Sequence, residues 1–126
     1  MSTIALNADN FQSTIDDNDI VLVDFWASWC GPCRSFAPVF EQAASAHSGM
    51  VFGKVDTEQE LDLAQAFQIQ SIPTLMVFRD NVLLYSQPGA LSAPQLEELI
   101  TQVEALDMAE IHRQIEQQSQ SQSQQA

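Results

Sequence analysis

Two cysteines separated by two residues, Cys30 and Cys33, are the only thiols of this 126-residue chain. They close the stretch DFWASWCGPC, which follows an apolar run beginning near Asp19. A bridge across so short a loop removes little entropy from the unfolded chain, so it would add little stability. The spacing therefore favours redox chemistry or metal binding over a structural staple.

The position of the pair, after a predicted strand and at the start of a predicted helix, favours a reactive thiolate. Free N–H groups and the helix dipole stabilise an anion at a helix start, which lowers the pKa of a thiol such as Cys30. Cys33 lies one turn further on, and we expect it to be the more buried thiol. Cys30 would then attack a substrate disulfide, and Cys33 would resolve the mixed disulfide. Gly31 and Pro32 set the turn between them and would tune the reduction potential.

Asp24 is a carboxylate within an otherwise apolar predicted strand. Removal from water raises the pKa of a carboxyl group, and a group tuned to near neutrality can transfer protons. Near the deeper thiol, Asp24 would accept the proton of Cys33 during resolution, through a water molecule. The alternative is that Asp24 lies at the end of the strand and is simply hydrated.

A zinc half-site is the other use of such a cysteine pair. Zinc usually takes four ligands, and the remaining candidates are His47 and His112, which do not follow a finger spacing. We therefore expect no metal, and each histidine is more simply explained as a surface residue of a helix.

The chain is strongly acidic, with a formal net charge of −13 and only four lysine and arginine residues. Such a charge repels nucleic-acid phosphates and anionic membrane surfaces, so we expect neither as a partner. The high negative charge is consistent with a soluble protein that stays monomeric. The first residues lack the features of a secretory signal, and no stretch approaches the ~20 apolar residues of a membrane span. We expect a cytoplasmic protein, although a mature form without its signal would look the same.

Alternating strand and helix patterns predict an α/β fold with the element order βαβαβαββα. Predicted strands cover residues 3–6, 19–27, 50–56, 74–78 and 82–87. Four helices are predicted. The first is capped by Asn7 and runs to about residue 14, and the second runs from the cysteines to His47. The third covers residues 57–67 with a Thr57–Glu60 capping box, and the fourth covers residues 92–106 with a Ser92–Gln95 capping box. The β-α-β units imply a parallel core, the closing hairpin adds antiparallel strands, and helices should cover both faces.

The pattern divides the chain into one domain over residues 1–106 and an extension over residues 107–126. In the extension, Asp107 and Glu110 form a possible capping box, and Met108, Ile111 and Ile115 form a weak apolar stripe. These features predict one short helix. The Gln/Ser-rich end after it has almost no apolar residue, so we expect it to be disordered.

The stretches VDFWASWCGPC, SIPTLMVF and PGALS together resemble the thioredoxin family, over about residues 3–106. The resemblance implies the thioredoxin fold, a mixed sheet of five strands flanked by helices. It implies a thiol–disulfide oxidoreductase that reduces protein disulfides and contributes to cell redox homeostasis. It also implies a cis bond between Ile72 and Pro73 and a catalytic role for Asp24.

By the same resemblance, the substrate-binding surface is formed by Trp29, Ile72, Pro73, Gly89 and Ala90. Protein disulfides would be the substrates, an NADPH-dependent thioredoxin reductase would restore the dithiol, and no bound cofactor would be needed. An oxidant or isomerase is an alternative, which the Gly-Pro dipeptide disfavours. A second alternative is a thioredoxin-like adaptor or co-chaperone whose tail binds a partner.

The sequence departs from the family pattern at several positions. Phe52 stands where many bacterial members have a lysine near the buried aspartate, and Lys54 is close by. Arg34 follows the second cysteine in place of the common lysine, and Pro88 replaces a small β-branched residue. Asn81 occupies a hairpin turn that often has glycine; asparagine tolerates positive φ, so we expect the turn to survive.

Overall fold

A computed structural model describes the backbone of residues 2–125 and the side chains up to Gln120. The elements, in chain order, are β1 (Thr3–Ala5), α1 (Phe11–Asp17), β2 (Ile20–Trp26), α2 (Gly31–Ala46), β3 (Val51–Asp56), α3 (Leu61–Ala66), β4 (Thr74–Arg79), β5 (Val82–Pro88), α4 (Ala93–Ala105) and α5 (Met108–Gln125).

The five strands form one mixed sheet in the order β1-β3-β2-β4-β5. β3 pairs in parallel with both β1 and β2, while β4 is antiparallel to β2 and β5. The predicted α/β fold with a five-strand mixed sheet is thereby confirmed. β2 lies at the centre, and its first six residues are buried. A strand covered on both faces needs apolar residues in succession, which explains the continuous apolar run in the sequence.

Side chains of β2 alternate between two separate cores, one on each face of the sheet. On one face, Leu22 packs with residues of α2 and α4, among them Phe36, Phe40, Leu96 and Ile100. On the other face, Val23 and Phe25 pack with α1 residues, among them Phe11 and Ile15. The alternation places Asp24 on the same face as Leu22, which is the face that α2 covers.

One of the predicted helix starts is wrong, and the capping bonds predicted for two others are present. α3 begins at Leu61 rather than near Thr57, and its cap residue Glu60 makes no side-chain capping bond. The Thr57 hydroxyl instead donates to the carbonyl oxygen of Trp26, 3.0 Å away, so this segment forms a turn tied to β2. The regular helix α1 begins at Phe11, and the predicted cap before it is present, because Asn7 Oδ1 accepts the N–H groups of Asp9 and Asn10 at 2.9 and 3.0 Å. The Ser92–Gln95 capping box of α4 is present as predicted.

The chain turns between β4 and β5 through Asp80 and Asn81, which both have positive φ, 51° and 64°. Two successive left-handed residues are typical of the tight turns that match the twist of a hairpin. Asparagine and aspartate tolerate this conformation better than other non-glycine residues. The expectation that the turn survives with Asn81 is therefore confirmed.

Arg79, at the end of β4, connects the sheet to the end of α4. Its Nη1 donates to the carbonyl oxygens of Val103, Glu104 and Leu106 at 2.7, 3.2 and 3.2 Å. These carbonyls lie at a helix C-terminus, where a positive charge is favourable. The Val103 oxygen also accepts the backbone N–H of Leu106 at 3.3 Å.

α5 is longer than the sequence predicts. Its first turn is capped, because the Asp107 carboxylate accepts the N–H of Glu110 at 3.2 Å. Met108 is 8% exposed and docks the helix on the domain. The helix then continues through the Gln/Ser-rich segment to Gln125, where we predict disorder. Glutamine is a good helix former, so a helix that begins with a capped and packed turn can continue. The division of the chain at residue 106 stays a prediction.

Candidate active site

The two cysteines form a disulfide at the N-terminus of α2. Cys30 is the cap residue of this helix, and its Sγ accepts the backbone N–H of Cys33 at 3.2 Å. Pro32 lies in the first turn, where its missing N–H costs nothing. The sulfur of Cys30 therefore occupies the place of a capping oxygen, and after reduction this place favours a thiolate.

The two cysteine residues do not differ in burial in the way the sequence predicts. Cys30 is 4% exposed and Cys33 is 3% exposed, so neither is clearly the deeper residue. Both pack with Ala27, and Trp26 and Ile72 lie against this cluster. What distinguishes the thiols is position, because only Cys30 caps the helix and lies 3.7 Å from the carbonyl oxygen of Ile72.

Asp24 lies inside β2 and is completely buried. Neither of its carboxyl oxygens has a hydrogen-bond partner among the described residues. Burial raises the pKa of Asp24 to about 7, and the positive charge of Lys54 partly opposes this shift. The alternative of a carboxylate at the strand end, hydrated by bulk solvent, is therefore wrong.

Lys54 lies opposite Asp24 in the register of β2 and β3. Its Nζ is 4.8 Å from the ring centroid of Trp26, which is a cation–π distance. Phe52 is 1% exposed and belongs to the core on the α2 side of the sheet. Because side chains alternate along a strand, Lys54 projects from the same face of β3 as Phe52. A lysine two residues further along thus supplies the positive charge near the buried carboxyl.

The segments before β4 and after β5 meet beside the disulfide. The Ile72–Pro73 bond is cis, as the resemblance implies. The N–H of Gly89 donates to the carbonyl oxygen of Pro73 at 2.8 Å, and Gly89 has a φ of 115° that favours glycine. Ile72 is half-buried, Pro73 is buried, and Gly89 and Ala90 are exposed. The structure thus brings Ile72, Pro73 and Gly89 together.

Trp29, the residue before Cys30, is 65% exposed although tryptophan has the largest side chain of any residue type. Its indole Nε1–H donates to the carboxylate of Glu58, 2.5 Å away. Arg34 holds the neighbouring backbone, because its Nη1 donates to the carbonyl oxygen of Ser28 at 3.0 Å. The sequence does not identify Glu58 as a site residue, since its pattern assigns this segment to a helix. No spacing in the sequence indicates the contact.

The histidines lie apart from the cysteines. The Nε2 atom of His47 is 2.8 Å from Glu97, and that of His112 is 3.6 Å from Asp80. Over residues 2–125, no three or more His, Cys, Asp or Glu side chains are grouped so as to hold a metal ion. No helix in that range is long and apolar enough to cross a membrane.

A sequence model of the family described as Thioredoxin matches residues 2–105 of the chain. The chain belongs to the thioredoxin family. It is 53% identical over 121 residues to "Putative thioredoxin 2" of Streptomyces coelicolor, with 95% of this chain and 90% of the relative covered. It is 40% identical over 103 residues to "Thioredoxin" of Alicyclobacillus acidocaldarius, with 81% and 98% covered.

Solved thioredoxin structures share the fold. A mutant thioredoxin from Halobacterium salinarum superposes with a TM-score of 0.75 at 30% identity, covering 83% of this chain and 92% of the other. Plasmodium falciparum thioredoxin gives a TM-score of 0.72 at 34% identity, covering 79% and 97%. With the paired cysteines at the active-site position of the family, this thioredoxin-family chain is a thiol–disulfide oxidoreductase of the protein-disulfide-reductase type.

The Streptomyces relative also bears on the extension. Its alignment spans 95% of this chain, whereas the family match ends at residue 105. Most of α5 must therefore lie within the aligned region. The extension is thus shared with at least one other thioredoxin-family protein.

Proposed function

We propose that Cys30 is the nucleophile and Cys33 the resolving thiol of a general protein-disulfide reductase. The observation that carries this assignment is the hydrogen bond from the N–H of Cys33 to the Sγ of Cys30 at the start of α2. A thiolate at Cys30 keeps this bond and the favourable helix dipole, which lower the pKa of a thiol at this position. Cys33 has neither advantage, because it lies within the first turn.

The reaction moves two electrons from the dithiol to the substrate. The Cys30 thiolate attacks one sulfur of the substrate disulfide, which releases the first substrate thiolate and forms a mixed disulfide. The deprotonated Cys33 then attacks Sγ of Cys30, which releases the second substrate thiolate and forms the Cys30–Cys33 bond. The two released thiolates take up two protons, equal in number to those that Cys30 and Cys33 gave up. The substrate disulfide is reduced to two thiols, and the enzyme dithiol is oxidised to a disulfide.

Asp24 is proposed as the base that takes the proton of Cys33 before the second step. A pKa of about 7 leaves the carboxyl partly ionised at neutral pH, which suits both uptake and release of a proton. Asp24 lies on the face of the sheet that α2 covers, and Cys33 is a buried residue of α2. The two unpartnered carboxyl oxygens leave this group free to bond a water that relays the proton.

The proposed substrate surface consists of Trp29, Ile72, Pro73, Gly89 and Ala90. Ile72 and Trp29 supply apolar area, and the backbone near the cis bond offers hydrogen-bonding groups to an extended peptide. Gly31 and Pro32, which are both exposed between the cysteines, are proposed to tune the reduction potential.

An NADPH-dependent thioredoxin reductase is the proposed electron donor, and the cytoplasm is the proposed compartment. Family membership supports the donor, and a compartment that keeps thiols reduced suits a chain whose only cysteines are catalytic. We propose a monomer, because a net charge of −13 opposes self-association.

An insulin-reduction assay with NADPH and a bacterial thioredoxin reductase tests this function. We expect turnover that depends on both the chain and the reductase, and we expect Cys30→Ser to abolish it. Activity with dithiothreitol but none with the reductase would contradict the proposed donor. No activity with either would contradict the proposed function.

The adaptor hypothesis remains as the second candidate, because α5 extends beyond the family match and is largely shared with the Streptomyces relative. An adaptor would keep its partner binding when Cys30 and Cys33 are both changed to serine. A reductase would lose its cellular activity with the same double substitution, so complementation of a thioredoxin-deficient bacterium separates the two.

A further inference from the structure

The loop that carries Cys30 is joined to the turn after β3 at two places. The backbone N–H and the hydroxyl of Thr57 both bond the carbonyl oxygen of Trp26, at 2.9 and 3.0 Å. Further along the same loop, the Glu58 carboxylate accepts the indole N–H of Trp29. The turn therefore holds both the start of the loop and the exposed ring next to Cys30.

The turn itself is well fixed. The Asp56 carboxylate accepts the N–H of Glu58 at 3.0 Å, and the Asp56 carbonyl oxygen accepts the N–H groups of Gln59 and Glu60 at 3.1 and 2.8 Å. Because these bonds fix the backbone at residue 58, the carboxylate of Glu58 projects from a rigid base. A residue can hold another side chain in one orientation only if its own backbone is fixed, and Glu58 meets this condition.

Trp29 needs such a tether, because little else restrains its ring. The side chain is 65% exposed, and its indole makes no other hydrogen bond among the described residues. A large side chain that moves freely before binding loses rotamer entropy when a partner packs on it. A ring that is already fixed avoids most of this loss and presents one defined apolar face beside the nucleophile.

We propose that Glu58 is a positioning residue of the substrate surface, which holds the indole of Trp29 in the orientation that receives protein substrates. This inference rests on the proposed function. Glu58 acts on recognition of a large substrate and takes no part in the chemistry of the thiols. Its loss should therefore raise KM for protein disulfides and leave the reaction with a small disulfide unchanged.

Two substitutions separate the hydrogen bond from the charge. Glu58→Leu removes the acceptor, and Glu58→Gln keeps an acceptor oxygen without the charge. Glu98→Leu is the matched control, because Glu98 is an exposed residue of α4 with no part in the site. The substrates are insulin and hydroxyethyl disulfide, with the reductase held in excess.

We expect Glu58→Leu to raise KM for insulin roughly two- to tenfold, the range expected for one lost hydrogen bond. Glu58→Gln should fall between Glu58→Leu and the unaltered protein, and Glu98→Leu should match the unaltered protein. The rate with hydroxyethyl disulfide should stay the same in all of them. In a proton–nitrogen spectrum, the indole signal of Trp29, assigned with Trp29→Phe, should shift in Glu58→Leu and not in Glu98→Leu.

Three results would overturn the proposal. An unchanged KM for insulin in Glu58→Leu would show that the tether does not serve recognition. An unshifted Trp29 signal would show that the bond is not formed in solution. An equal loss with both substrates would show a general structural effect. If the unaltered protein still reduces insulin, the proposed function stands whichever of these results is obtained. If the unaltered protein does not reduce insulin, both proposals fail.

Discussion

Asp24 and Lys54 are partners in the register of β2 and β3, and the carboxyl group of Asp24 is completely buried without a hydrogen-bond partner among the described residues. Desolvation raises the pKa of the carboxyl to about 7, and the charge of Lys54 lowers it. The balance of these two effects places the group in the range where it can exchange protons at neutral pH.

Removal of the lysine charge should therefore raise the pKa of Asp24 further. Lys54→Met takes away the effect that opposes desolvation, so the titration midpoint of the carboxyl carbon, followed by NMR in the oxidised protein, should move upward from about 7. Lys54→Arg keeps the positive charge and is the control, with a midpoint near that of the unaltered protein. An unchanged midpoint in Lys54→Met would mean that the charge at residue 54 does not reach the carboxyl.

Asp24→Asn should make the protein more stable at high pH. The folded pKa of about 7 lies above the ordinary value of 3.8, so the folded state binds the proton more tightly than the unfolded state. The contribution of Asp24 to stability is thus fully present below about pH 4 and is lost as the pH rises through about 7. Above about pH 8, we expect the variant to exceed the unaltered protein by roughly 2 to 4 kcal/mol in the free energy of unfolding.

Urea unfolding over this pH range measures the difference. Asp9→Asn is the control, because it makes the same chemical change at an exposed residue outside the sheet. A constant difference for Asp24→Asn would show that the carboxyl titrates alike in the folded and unfolded states. That result would also weaken the case for Asp24 as the base in resolution.

The sequence is informative where a residue pattern reflects a local requirement. The buried β2, the Ser92–Gln95 cap and the hairpin turn at Asn81 are all predicted, because burial on both faces, side-chain capping and positive φ each demand particular residues. The family motifs identify the cysteine pair and the cis bond before Pro73. These features are local, or they recur in a known family.

The sequence is less informative where the structure depends on distant contacts. Thr57 and Glu60 fit a capping box, yet the Thr57 hydroxyl bonds the carbonyl oxygen of Trp26, 31 positions earlier in the chain. The contacts of Glu58 with Trp29 and of Arg79 with the end of α4 have no sequence signal for the same reason. The C-terminal helix is longer than predicted. Its low apolar content leads to a prediction of disorder, whereas the helix propensity of glutamine allows the helix to continue.

Arg79→Met should destabilise the protein. The substitution removes the Arg79 hydrogen bonds to the carbonyl oxygens of Val103, Glu104 and Leu106 and removes a positive charge from the C-terminus of α4. We expect a loss of about 1 to 3 kcal/mol in the free energy of unfolding, measured in urea at neutral pH. Arg113→Met is the matched control, because Arg113 only pairs with Glu110 on the exposed surface of α5, and its loss should cost less than about 1 kcal/mol. Equal losses in the two variants would contradict the role given to Arg79.

Truncation after Leu106 should leave disulfide reduction close to that of the full chain, because the extension lies outside the proposed site. A tenfold loss, about 1.4 kcal/mol in activation free energy, would show that the extension takes part in the reaction and would favour the adaptor hypothesis. The same truncation removes the buried side chain of Met108, so we expect a loss of about 1 to 3 kcal/mol in stability. Truncation after Gln117 is the control, because it keeps Met108 and should change neither quantity.

The most direct test of the proposed mechanism is the trapping of a mixed disulfide. Cys33→Ser and Cys30→Ser proteins are incubated with a disulfide-containing protein substrate, quenched with an alkylating agent and separated without reductant. If Cys30 attacks and Cys33 resolves, Cys33→Ser accumulates a covalent adduct with the substrate that dithiothreitol removes, and Cys30→Ser accumulates none. Accumulation of the adduct by Cys30→Ser in place of Cys33→Ser would reverse the roles of the two thiols and contradict the account.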